Sequence, residues 1–150
     1  MVQHMTLSML APIFLVLGAP ATLALRALKP STGPERGPRE WLTWFLHSWI
    51  NRILTNPFYV LFIYGLGLFG LYMTPAFGWL MGSHIGHLYM ELHFLGAGYL
   101  FYWVLIGIDP RPKPVPYWGR LLLLLAALSI HGLFAVVLMM NPHPLAPEWY

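Results

Sequence analysis

The stretch "SHIGHLYMELHFLGAGYL" (residues 83–100) places three histidines, a methionine and a glutamate in the first part of an apolar run. The run continues as "FYWVLIGIDPRPKP" (residues 101–114). Its apolar part, about 84–108, is long enough for a helix crossing a bilayer at about 1.5 Å per residue. At about 100° per residue, His84, His87 and Glu91 fall within an arc of about 60° on one helix face. His93 lies on the opposite side with Tyr89 and Leu100. Ionisable groups at membrane depth are costly and usually mark function. Whether this stretch is a span therefore bears on both fold and function.

Composition favours a membrane. Of 150 residues, 58% are hydrophobic and 9% charged, against about 25% charged in soluble domains. Such a chain cannot cover its apolar surface with polar groups. The pattern predicts an all-α polytopic transmembrane bundle, a single membrane domain over residues 1–150. Four apolar runs qualify as spans, about 5–28, 57–79, 84–108 and 118–140. Between the first two, "WLTWFLHSWINRILTNP" (residues 41–57) is too short and too polar to cross. Phe45, Leu46, Trp49, Ile50 and Ile53 share one helical face, and Glu40, His47, Asn51 and Thr55 share the other. This predicts an interfacial amphipathic helix over about 40–55, with tryptophans at headgroup depth. Glycines recur at packing spacing, at Gly65, Gly67 and Gly70, at Gly96 and Gly98, and at Gly82 and Gly86.

The basic residues set the orientation. Arg26, Lys29, Arg36, Arg39 and Arg52 lie in or beside the first loop, and Arg111, Lys113 and Arg120 in or beside the third. The second loop and both termini carry none. The two basic loops are therefore cytoplasmic, and both termini lie outside. The net charge of +3 fits this topology better than a nucleic-acid patch. No charged leader opens the chain, so no signal peptide is predicted.

With that orientation, the histidines and methionines concentrate near the outer face. His4 stands at the outer end of the first span, His131 in the middle-to-outer part of the fourth, and His143 beyond it. Only His47 is cytoplasmic. Met5, Met9, Met73, Met81, Met90, Met139 and Met140 share the outer half. Imidazole is the commonest metal ligand, and thioether favours Cu(I). Without cysteine there is no thiolate, disulfide or iron–sulfur site. The layer therefore suits copper, with His4, His84, His87, His93 and His131 as candidate ligands. Met5 and Met90 are weaker ones. Glu91 could be a ligand, a partner fixing an imidazole tautomer, or a proton acceptor; tautomer fixing is favoured. Hydrogen bonding and packing are the structural alternative for each histidine. No nucleophile–base–acid arrangement, phosphate loop or carboxylate pair points to catalysis.

Four segments together resemble a known family. They are "QHMTLSMLAPIFLVLGAPATLALRAL" (residues 3–28), "NP" (56–57), the run from His84 through "GIDPRPKP", and "SIHGLF" (129–134). They resemble the CtaG-type family of cytochrome c oxidase assembly factors, polytopic proteins of the bacterial plasma membrane. The most specific element is the histidine-bearing helix running into Gly107, Asp109 and Pro110. The resemblance implies a part in maturing haem–copper oxidase, providing copper to its subunit I, with His4, His84, His93 and His131 matching the family pattern and His87 beside them. Family members usually carry further spans ahead of this segment, so it also implies that upstream spans are missing here. Two rival readings stay open: a b-type haem electron carrier using two of these histidines, and a purely structural membrane subunit.

Overall fold

The computed structural model describes residues 6–31 and 37–140, which form helices joined by turns, with no strand among them. A π-helical turn, Thr6–Leu10, leads into α1 (Ala11–Leu17). Next come α2 (Pro20–Ala27), α3 (Pro38–His47) and α4 (Trp49–Leu54). Then α5 (Pro57–Gly65) runs into a second π-helical turn, Leu66–Gly70. The chain closes with α6 (Ala76–Met81), α7 (His84–Ile106) and α8 (Tyr117–Met140). Proline opens α2, α3 and α5, where its fixed φ suits the helix and its missing N–H costs nothing. Asn56 caps α5, its Oδ1 accepting from the Phe58 N–H at 2.9 Å. Ser83 caps α7, its Oγ accepting from the Gly86 N–H at 3.0 Å.

The two long helices fall where the apolar pattern predicts them; the other runs are broken. The first run is divided at Gly18–Ala19, where Ala19 takes φ +46° and α2 restarts at Pro20. The second stops at the Thr74–Pro75 turn, and Trp79 belongs to the separate α6. The amphipathic segment is two helices parted by an extended Ser48, whose hydroxyl caps α4 through the Asn51 N–H. That break rotates the second half off the helical wheel. Asn51 and Thr55, expected on the polar face, are buried instead. Asn51 Nδ2 donates to the Leu46 carbonyl at 2.8 Å, and Thr55 Oγ1 to the Asn51 carbonyl at 2.7 Å. By its own length and apolarity, one helix among the described residues, Tyr117–Met140, qualifies to cross a membrane. Ala11–Ala27 and Pro57–Gly70 are apolar but shorter. In α7 the histidines and Glu91 dilute the apolar character.

α7 is the central element, packed against α1, its preceding turn, α5 and α6, while α8 leans chiefly on α5. One core gathers Val60, Tyr64 and Leu68 of the α5 segment, Phe101 and Val104 of α7, and Leu123, Ala127 and Phe134 of α8. A second joins Val16, Leu46 and Trp103, seating α3 on α1 and α7. Toward the histidine end, Tyr72 stacks on Phe77 with ring centroids 4.8 Å apart and approaches Phe94 and Phe134.

At the opposite end the segment 107–120 ties three helices together. Gly107 ends α7 at φ +70°, which glycine adopts without strain. Arg111 Nη1 donates to the Val104 carbonyl at 2.5 Å, and Arg120 Nη1 to the Ile106 carbonyl at 2.9 Å. Two cations thus cover carbonyls that a helix C-terminus leaves free. Burial, and then the neighbouring Arg120, holds Arg111 below the usual arginine range. Asp109, 2% exposed, reaches across to α2. Its carboxylate accepts from the Thr22 N–H (2.8 Å), the Thr22 hydroxyl (2.7 Å) and the Ala21 N–H (3.2 Å). α2 has no side-chain cap at its own N-cap position, so Asp109 supplies one from another part of the chain.

Candidate functional site

The first two turns of α7 carry the predicted histidine face. His84 is the first residue of the helix and is exposed. One turn on, His87 Nδ1 lies 3.5 Å from Glu91 Oε1, both side chains about one-third exposed. The i, i+4 spacing brings them together. A carboxylate beside Nδ1 favours the proton there and leaves Nε2 as the free lone pair, the arrangement that prepares an imidazole for a metal. Met90 is buried on the same helix. Among the described residues, no group of three His, Asp or Glu side chains is placed to hold one metal ion. His4, Met5 and His143 lie outside the described residues.

The other two histidines turn toward α5. His93 stands against the π-helical turn, near enough to Gly67 that a Cβ there would lie 2.9 Å from its Nε2. The ring is flanked by Tyr89, stacked at 6.4 Å, and by Phe94, edge-on at 5.7 Å. His131 of α8 bonds through Nδ1 to the Tyr64 hydroxyl at 3.0 Å. Tyr64 in turn stacks on Phe101 at 5.4 Å. His47 is remote from all of these in the chain, exposed on α3, with Nδ1 2.8 Å from the Thr43 carbonyl.

Gly67 gives a direct test of this packing. Alanine there gains helix propensity of about 1 kcal/mol. It also overpacks His93, at about 1–3 kcal/mol, so the clash wins. Gly67→Ala should be less stable by about 1 kcal/mol and should shift the His93 ring resonances. A variant more stable than the parent, with unshifted His93 signals, would contradict the placement.

Sequence reasoning did not single out Tyr64 or the Asp109 cap. Tyr64 and His131 are 67 residues apart, so spacing cannot pair them. A signal for the cap existed, namely Pro20 opening a helix without Ser, Thr, Asp or Asn before it.

What emerges is a thiol-free chain, all-helical over the described residues, with three of its seven histidines in the first half of its central helix. The chain belongs to the cytochrome c oxidase caa3 assembly factor family (Caa3_CtaG), whose model matches residues 1–150. It is 44% identical over 151 residues to the uncharacterized protein ML1998 of Mycobacterium leprae. It is 45% identical over 152 residues to the uncharacterized proteins Mb0105 of Mycobacterium bovis and MT0111 of Mycobacterium tuberculosis. Each alignment covers all of this chain and 23% of the relative, so the chain spans about a quarter of the length of these proteins. No solved structure matches it.

Proposed function

We propose that this chain is a four-span membrane bundle that assists cytochrome c oxidase assembly without catalysis, holding copper as Cu(I) near the outer face for the oxidase. The observation that carries the copper reading is the His87–Glu91 pair, 3.5 Å apart and on the same face as the exposed His84. The donor chemistry fits the cargo: imidazole nitrogen, a thioether on the same helix at the buried Met90 and no thiolate suit a soft ion that must later be released. His93 and His131 turn toward α5 and support the fold of the same half. The oxidase enters as partner from the family's description.

Exposed apolar surface supports the membrane setting. Leu121, Leu122, Leu125, Leu128, Leu133 and Val136 of α8 are all exposed. In water each, a little over half exposed, would forgo roughly half of the 1.5–3 kcal/mol that full burial brings; against lipid they need no cover. Trp41, Trp44 and Trp49 are also exposed, as tryptophans at headgroup depth would be. In this reading α7, α8, the Ala11–Ala27 segment and the Pro57–Gly70 segment are the spans. The basic residues beside α2 and α7 lie in the cytoplasm and both termini outside, in the bacterial plasma membrane. A periplasm-dependent reporter fused after Tyr150 should be active; activity of a cytoplasm-dependent reporter at that point would reverse the orientation.

The function is tested in a strain lacking the gene. Oxidase activity and copper content of its membranes should fall and return with the wild-type gene. An unchanged oxidase in the deletion strain contradicts the proposal.

A further inference from the structure

We infer that the cavity between α5, α7 and α8 is a binding site for a lipophilic quinone headgroup, entered from the bilayer. The cavity measures about 270 Å³. A 150 Å³ apolar cavity holds a single benzene ring, so this one accommodates two fused rings. Its walls are aromatic, from Tyr64, Phe101 and Tyr102, with the Met9 thioether alongside. The exposed Leu128 and Gly132 of α8 also line it, on the helix long and apolar enough to cross a membrane. A ligand entering past them comes from hydrocarbon rather than water, a point that rests on α8 being a span.

The polar groups then select the headgroup. Tyr64 has one hydrogen-bond partner among the described residues, His131 Nδ1 at 3.0 Å. The 3.0 Å contact uses one proton, so whichever partner donates, the pair keeps one spare donor: the imidazole N–H on Nε2 or the phenol O–H. The Tyr102 hydroxyl, of a residue on the same lining, has no hydrogen-bond partner among the described residues. A site with two unspent donors between aromatic faces calls for a flat ring bearing carbonyl acceptors. A hydrocarbon chain would leave both donors unpaired, which is costly in an apolar site. Binding alone is inferred, and it stands apart from the copper reading, which rests on His84, His87 and Glu91.

The probes are menadione (2-methyl-1,4-naphthoquinone) and 2-methylnaphthalene, which has the same rings without the carbonyls. The chain has no cysteine for menadione to alkylate. The full chain in lipid nanodiscs is titrated with each while its unfolding midpoint is followed. Menadione should raise the midpoint saturably, with 2-methylnaphthalene at least about tenfold weaker. Tyr102→Phe should weaken menadione by about three- to tenfold and leave 2-methylnaphthalene unchanged. A Cβ at Gly132 meets no atom within 4 Å and the residue lines the cavity, so Gly132→Phe should abolish the response by filling the space, with the unfolding midpoint without ligand checking that the fold is kept. Menadione binding no tighter than 2-methylnaphthalene, or an undiminished menadione response in Gly132→Phe, overturns the inference.

Discussion

Asp109→Ala is expected to destabilise the fold by about 3 kcal/mol. The carboxylate is buried and accepts three hydrogen bonds from Ala21 and Thr22. Its loss leaves two backbone N–H groups at the start of α2 without an acceptor. It also removes a negative charge from the positive end of a helix, worth about 0.3–2 kcal/mol. For a chain of this size the unfolding midpoint in detergent should fall by about 6–12 °C. Asp109→Asn keeps the shape and one acceptor oxygen, so about half the loss is expected. Because the cap joins α2 to the end of α7, loss should appear in both helices together, as faster amide exchange in 20–27 and in the last turns of α7. An Asp109→Ala protein as stable as the parent would show that the contact is not what holds α2 in place.

The second large effect falls on copper. His84→Ala or His87→Ala should lower copper affinity by at least about tenfold and oxidase maturation with it, whereas His47→Ala should leave both unchanged. Glu91→Gln should fall between them. It keeps the shape of the partner to His87 but removes its charge, and loss of an outer partner typically costs about 10–100-fold. Exposure helps separate function from folding. His84 is exposed and His87 partly exposed, so their replacement should alter stability by no more than about 0.5 kcal/mol. Equal copper and equal oxidase activity across His84→Ala, His87→Ala and His47→Ala, at equal protein level, would leave these histidines a packing role only.

The parts of this structure legible in the sequence share one property: they depend on near neighbours. α7 and α8 are long unbroken helices, and His87 and Glu91 meet because they stand four residues apart on one of them. What was not legible depends on backbone breaks or distant partners. Apolar content does not register a turn, so Gly18–Ala19 and Thr74–Pro75 vanished inside runs that looked continuous. A helical wheel drawn through Ser48 assumes one axis. The extended Ser48 supplies two, which is why Asn51 and Thr55 are buried against expectation. Gly107, Asp109 and Pro110 stood out as a pattern, but their structural use requires Thr22, 87 residues away. The histidines divide on the same line. The pair with Glu91 was readable, whereas the partners of His93 and His131, Gly67 and Tyr64, lie on another helix.

The central claim, that this chain holds copper, is tested most directly by metal analysis of the detergent-purified protein together with its absorption spectrum. Bound copper and no Soret band are predicted, with loss of that copper when His84 and His87 are both replaced by alanine. A Soret band, or copper content that is the same with and without those two histidines, would contradict it.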